Sequence, residues 1–148
     1  MKALVSALAL LVGSHVMAVA ADQTLKFKLV AFTVGEKDGE YHMVGATVSP
    51  DGTIGTKDFS VKEDQNGNGT IHSTYYFPDG SIVSSDSFVD SGTQMGGHVV
   101  GKIQIVSGTG AYQGATGGGQ FEGDWGDKSS LKGAGLYNIE LDMKTPGT

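Results

Sequence analysis

The sequence predicts an all-β protein that folds as a single eight-stranded antiparallel β-barrel. From Ala21 onward, no window of 12 or more residues places apolar side chains at helical spacing. Short runs of alternating apolar and polar residues recur instead, as in strands with one buried face. Pro-Asp-Gly turns and a glycine-rich segment over 92–135 separate the runs, and glycine suits the tight corners of a closing sheet. About eight strands at short, even spacing favour a closed barrel.

The predicted strands follow this alternation in chain order. In the first strand, the apolar face that starts at Leu25 changes phase near Val30, and Phe32 and Val34 then fall into step with it, as at a β-bulge. The predicted strands cover residues 24–34, 41–48, 56–62, 71–77, 81–89, 99–106, 118–123 and 131–141.

Turn residues separate the strands at the expected places. The sequence 78–80, Pro-Asp-Gly, predicts a hairpin between the fourth and fifth strands, because Pro presets φ and Gly accepts a positive φ. After the sixth strand, Gly108 and Gly110 are expected to take positive φ in a tight turn, with Tyr112 packing as a corner aromatic. No helix follows this turn, so a phosphate-binding loop is excluded.

Residues 1–20 have the features of a secretory signal peptide. A lysine precedes an apolar run over 3–12, and the small residues Ala18 and Ala20 flank a plausible cleavage site. The run is too short for a spanning helix. The sequence therefore predicts a cleaved leader and one barrel domain over 21–148, secreted or periplasmic and not inserted in a membrane.

Composition narrows the function classes. The 148 residues carry a net charge of −6, and all ten basic residues are lysine. Without arginine there is no bidentate grip on phosphate, and the acidic balance argues against nucleic acid as a partner. The absence of cysteine excludes disulfides, thiolate metal sites and a cysteine nucleophile.

An aromatic strand at 74–77, the Asp79-Gly80 turn and the glycine-rich run 107–117 together resemble the allene oxide cyclase and dirigent barrel superfamily. Ser107 stands where that family usually has a glycine. The resemblance implies an eight-stranded, calycin-like antiparallel barrel with an apolar lumen, commonly a homotrimer. The positions that fit the family's strand-end signature are Thr109, Tyr112, Gly114 and Gly117.

The resemblance implies a pocket rather than one reaction. Plant allene oxide cyclases use a Glu and an Asn on the first strand and a Cys deeper inside. Alignment of residues 36–38 with the family's similar tripeptide puts Thr33 and Gly35 at the first two positions, and the chain has no Cys for the third.

Four residues are candidates for acid-base catalysis, because burial in an apolar barrel moves a pKa towards neutrality. Asp86 lies among apolar neighbours on one face of its strand, and His98 heads the sixth strand near a barrel mouth. On the last strand, Glu140 is the candidate acid if the mixed face points inwards, and Tyr137 is the polar group if the apolar face does.

Three further residues are predicted to contact a ligand. Tyr75 and Tyr76 point to opposite faces of their strand, so one of them lines the lumen as an aromatic wall. Phe88 shares the face of the fifth strand that carries the candidate Asp86 and adds apolar surface there.

The segment that starts at Asp64 resembles the first part of a calcium loop. Asp64, Asn66 and Asn68 supply oxygen atoms at alternate positions, but position 12 is Tyr75 instead of the bidentate Glu. An Asn-Gly hairpin loop is the other reading. The histidines lack zinc-site spacing, so no metal or other cofactor is predicted beyond weak calcium binding here.

Two functions fit these features. One is a secreted isomerase or cyclase that holds a hydrophobic small molecule in the barrel lumen and moves a proton with one or two polar groups. The other is a non-catalytic hydrophobic-ligand-binding or dirigent-like protein with the same lumen. Buried titratable groups around the lumen would favour catalysis, and an entirely apolar lumen would favour binding.

Overall fold

The computed structural model describes residues 21–93, 96–126 and 134–146. Eight strands pair antiparallel in chain order, and the last pairs with the first, which confirms the predicted all-β closed barrel. No helix in these ranges is long and apolar enough to cross a membrane. The strands are β1 Ala21–Lys37, β2 Glu40–Val48, β3 Ile54–Glu63, β4 Asn68–Phe77, β5 Gly80–Asp90, β6 Gly96–Gly110, β7 Thr116–Gly126 and β8 Gly135–Thr145.

The predicted order of strands is confirmed, but the glycine-rich strands are longer or shifted. Strand β6 extends beyond the predicted 99–106 at both ends, because its terminal glycines pair in the ladder although they give no hydrophobic period. Strand β8 ends four residues after the predicted 141, and residues 131–133 of the predicted strand lie outside the described residues. The predicted leader, residues 1–20, lies outside the described residues.

The up-and-down order gives the barrel two different ends. The strand ends between β1 and β2, β3 and β4, β5 and β6, and β7 and β8 lie at one end, which we call the open rim. The connections β2–β3, β4–β5 and β6–β7 lie at the other, which we call the closed end. Alternate side chains of every strand point into the lumen between these ends.

The bulge in β1 lies further along the strand than the sequence predicts. The register shift falls between Thr33 and Gly35, and Ala31 remains fully buried. Phe32 therefore points outwards, with 48% of its surface exposed, and Val34 lies in the bulge at the edge of the cavity, with 57% of its surface exposed. The prediction that they join the buried face was wrong, because Ala31 is the inward residue and the alternation does not change phase until the bulge after Thr33.

The corner between β6 and β7 also differs in detail. Gly110 has a φ of 59°, as expected, but Gly108 does not have a positive φ. Gly108 is needed for close approach, because a Cβ there would overlap the backbone carbonyl of Tyr112. Tyr112 is buried as predicted and lies 5.6 Å from the ring of Phe77. The predicted hairpin at 78–80 is confirmed, since Phe77 pairs with Gly80.

Close packing between β7 and β8 generates a test of the fold. A Cβ at Gly119 would overlap the backbone carbonyl oxygen of Glu140, whereas a Cβ at Gly35 would meet no atom within 4 Å. We expect Gly119→Ala to lower the free energy of unfolding by ~1–3 kcal/mol and Gly35→Ala to change it by less than about 0.5 kcal/mol. Urea denaturation of both variants measures the difference, and equal midpoints would contradict this packing.

Candidate functional site

The lumen is filled at the closed end and hollow towards the open rim. Near the closed end, aromatic rings pack edge to face or stacked, with Phe27 5.6 Å from both Tyr75 and Phe77. Towards the open rim lies a cavity of about 450 Å³, within the range of small-molecule sites. Its wall is mainly apolar, and includes Leu29, Met43, Phe59, Ile71, Phe88, Val99 and Phe121.

Five polar side chains are buried where the filled and hollow parts of the lumen meet. They come from inward positions of three adjacent strands, β3, β4 and β5, and we call them the lumenal polar cluster. They are Lys57, Ser73, Tyr75, Ser84 and Asp86, each at most 4% exposed.

Strand register explains how the cluster assembles. Lys57 pairs with Tyr75, and Ser73 pairs with Ser84 one inward step nearer the open rim. Asp86 lies one further inward step along β5, nearer the open rim than Ser84. Because the two serine side chains are small, the long Lys57 side chain passes over this row and brings Nζ to 3.8 Å from Asp86 Oδ2.

The cluster has specific contacts and some unused hydrogen-bonding capacity. The Ser73 hydroxyl donates to Asp86 Oδ2 at 3.3 Å. Lys57 Nζ lies 4.5 Å from the ring centre of Phe59 and 4.6 Å from that of Tyr75, within cation–π range. Tyr75 Oη, Ser84 Oγ and Asp86 Oδ1 are buried without a well-formed hydrogen bond to any described residue. Such atoms are costly in a folded protein.

Burial changes the ionisation of the cluster. It lowers the pKa of Lys57 to about 8, against the opposing attraction of Asp86. It also raises the pKa of Asp86, against the effects of Lys57 and the neighbouring hydroxyls. The pKa of Tyr75 is raised well above its usual value, by burial first and by Asp86 second. Burial thus moves the pKa values of Lys57 and Asp86 towards each other and towards neutral pH.

The open rim is acidic. Glu36, Glu63 and Asp90 line the cavity at this end. Asp90 is fixed there because its Oδ2 accepts a hydrogen bond from Trp125 Nε1 at 2.9 Å and its Oδ1 accepts one from the Gly92 amide at 2.7 Å. Carboxylates at the mouth of the cavity disfavour entry of anions. The apolar wall disfavours any charged group, because its desolvation is costly, so the cavity suits neutral molecules.

Four of the residues predicted from the sequence point into the lumen. Asp86 and Tyr75 belong to the lumenal polar cluster, and Phe88 and Tyr137 line the cavity. Burial, together with Asp90 and Asp124, raises the pKa of Tyr137 to about 12, so its hydroxyl stays a neutral donor. Of the two faces that the sequence left open for β8, the apolar face is the inward one.

The other three predicted residues lie on the outer surface, because each follows an inward neighbour by one residue. Glu140 forms an ion pair with Lys26 at 3.1 Å. His98 Nδ1 lies 2.8 Å from Asp124 Oδ1. Tyr76 is 51% exposed. The outward faces are thus the mixed face of β8 and the Tyr76 face of β4, and the candidate His98 does not line the cavity.

The loop after β3 has the hydrogen bonding of a turn. Asp64 Oδ1 accepts hydrogen bonds from the backbone amides of Asn66 at 2.7 Å and Asn68 at 3.0 Å. These bonds also hold the pKa of Asp64 below its usual value. In the described part of the chain, no three His, Asp or Glu side chains are grouped as metal ligands.

Three members of the lumenal polar cluster are not among the site residues predicted from the sequence: Lys57, Ser73 and Ser84. The signal for Lys57 was present, since it alternates with Phe59 and Val61 on the apolar face of β3. A lysine in step with apolar residues usually reaches solvent with its charged end, so the pattern alone does not separate a buried lysine from an exposed one.

The sequence matches no protein-family model and none of the curated proteins. The structure is similar to that of a pterocarpan synthase dirigent protein, with a TM-score of 0.60 and 14% sequence identity over 96% of this chain and 98% of that one. It is also matched by pyocyanin demethylase, with a TM-score of 0.46 and 17% identity over 83% and 99%. The chain has a dirigent-like eight-stranded barrel fold. That likeness, at such low identity, carries no reaction with it.

The buried lysine generates a prediction for stability. Between about pH 8 and 10.5 the unfolded chain keeps the Lys57 proton that the folded chain has released, so folding stability rises with pH in this window. We therefore compare the free energy of unfolding of the natural protein with that of Lys57→Met. Between about pH 7.5 and about pH 9.5, we expect this difference to change by ~1–2 kcal/mol in favour of the natural protein.

Denaturant titrations at several pH values measure this gain, with the exposed Lys144→Met as the matched control. A parallel pH dependence of the natural protein and Lys57→Met would show that Lys57 is not desolvated in the folded state.

Proposed function

We propose that the barrel is an isomerase that takes a neutral, largely apolar molecule into the lumenal cavity and moves a proton within it, with Lys57 as the proton carrier. One observation supports this most strongly: Lys57 is buried, lines the cavity and has Asp86 3.8 Å from its amine. A non-catalytic ligand carrier has no evident need for such a pair, because burying charged groups is costly.

The proposed reaction follows from the ionisation of the pair. With a pKa of about 8, roughly a tenth of Lys57 is neutral at pH 7, far more than of an exposed lysine, and this form can accept a proton from a carbon next to a ligand carbonyl. The ammonium that forms is stabilised by Asp86 and by the rings of Phe59 and Tyr75. It then returns the proton to another carbon of the same conjugated system, so the overall change is an isomerisation and no further reactant is consumed.

The cavity wall supports this reaction in two further ways. Its apolar side chains exclude water, which strengthens electrostatic interactions with the developing charge. Tyr137, kept neutral by burial and by the nearby carboxylates, lines the same cavity and can donate a hydrogen bond to an oxygen on which negative charge develops.

A β,γ-unsaturated cyclohexenone tests the proposal, because its conversion to the conjugated isomer is followed by ultraviolet absorbance. We expect the rate to rise with pH through about 8, and Lys57→Met to lower kcat/KM by ~100-fold or more. Asp86→Asn removes the interaction that raises the pKa of Lys57, so it should shift the inflection of the pH profile to lower pH.

Two matched variants show whether the reaction takes place in the cavity. Val61→Phe adds bulk to the cavity wall, whereas Val44→Phe adds it on the outer face of β2. We expect the first to slow the isomerisation and the second to leave it unchanged. Equal rates for the natural protein and Lys57→Met would overturn the proposed role of Lys57.

A further inference from the structure

Lys57 differs from the other lysines of the described residues. Its side chain is 3% exposed and lies inside the barrel. The other lysines are all exposed on the outer surface or at the rim; they are Lys26, Lys28, Lys37, Lys62, Lys102 and Lys144. A primary amine enclosed in an apolar cavity is a potential nucleophile as well as a base.

The surroundings of the amine fit one kind of covalent product. A protonated imine carries a single positive charge at the lysine nitrogen, as the ammonium does. Asp86 and the rings of Phe59 and Tyr75 already surround that position at 3.8, 4.5 and 4.6 Å. They would stabilise the imine as they stabilise the ammonium, and the apolar wall keeps away the water that would hydrolyse it.

We propose that Lys57 forms a reversible imine with aldehydes and ketones whose apolar part occupies the lumenal cavity. The inference rests on the proposed function in one respect, namely that the cavity admits a small neutral molecule. It goes further by naming a covalent bond and the class of compound that makes it.

The reaction is balanced without any other reactant. The neutral Lys57 amine attacks the carbonyl carbon, a carbon–nitrogen bond forms, and the proton released by the nitrogen passes to the carbonyl oxygen to give a carbinolamine. The hydroxyl group then leaves as water with a proton taken from solvent, and the nitrogen keeps its remaining hydrogen, so the product is the protonated imine. Asp86, whose pKa is raised by burial, lies next to the nitrogen and is placed to relay these protons.

The entrance and the cavity both select for such ligands. The carboxylates of Glu36, Glu63 and Asp90 at the open rim disfavour anionic aldehydes, such as those with phosphate or carboxylate groups. The volume of about 450 Å³ and the apolar wall favour an aromatic or aliphatic carbonyl compound of modest size.

Benzaldehyde with sodium cyanoborohydride tests the proposal, because the reductant supplies a hydride that converts the imine into a stable benzylamine. The purified protein is treated near pH 7, and the modified lysines are mapped by peptide mass spectrometry. We expect Lys57 to be modified at least about ten-fold faster than any exposed lysine, since an amine with the lower pKa has more of its neutral form.

Controls separate the site from general lysine reactivity. Lys57→Arg should lose the fast modification, and Lys144→Arg should keep it. In the urea-unfolded natural protein the preference for Lys57 should disappear. Because mapping on the natural protein is decisive by itself, the test does not depend on the folding of a variant. Modification spread evenly over the exposed lysines would overturn the proposal.

A binding measurement distinguishes this proposal from the proposed function. Trp125 is the single tryptophan of the chain and lines the cavity, so energy transfer from it reports the binding of the apolar dye N-phenyl-1-naphthylamine. If benzaldehyde displaces the dye but Lys57 is not modified, the imine is overturned and binding in the cavity stands. If neither the dye nor benzaldehyde binds, both proposals are overturned.

Discussion

The contact between Lys57 and Asp86 inside the barrel is the interaction on which the account of this protein depends. Two opposite charges in an apolar lumen are costly to bury, and their attraction only partly offsets that cost. The cost appears as a lowered pKa for Lys57 and a raised pKa for Asp86. An arrangement of this kind brings a lysine into the pH range where it exchanges protons readily. It also leaves the amine in contact with space that a small molecule can fill.

The barrel provides the conditions that this pair requires. Strand alternation places residues from β3, β4 and β5 on three successive inward steps of the lumen, and the small Ser73 and Ser84 on the middle step leave room for the Lys57 side chain to reach the Asp86 carboxylate. Packed aromatic rings fill the closed end below the pair. The hollow part lies on the other side, towards the acidic open rim. The packed rings and the cavity thus occupy opposite ends of one lumen, and the pair lies between them.

Much of the fold follows from the sequence, because period-two alternation and Pro-Asp-Gly turns are local signals that the barrel preserves. The residues of the candidate site are harder to predict from the sequence. Asp86 was identifiable because an acid among apolar neighbours on one strand face is unusual, but the inward face of β8 depends on closure of the whole sheet, so Glu140 and Tyr137 stayed equivalent candidates. Lys57 was overlooked because only the packing across three strands shows that its amine remains inside.

The most direct test of this account is a nuclear magnetic resonance titration of the Lys57 side chain in the folded protein. The signal is assigned by its loss in Lys57→Met, and the chemical shift of the ε-carbon is followed with pH. The account predicts a midpoint at about 8 and a movement to lower pH when Asp86 is replaced by asparagine. A midpoint at the ordinary lysine value of 10.5, unaffected by that replacement, would show that the amine is in water and contradict the account.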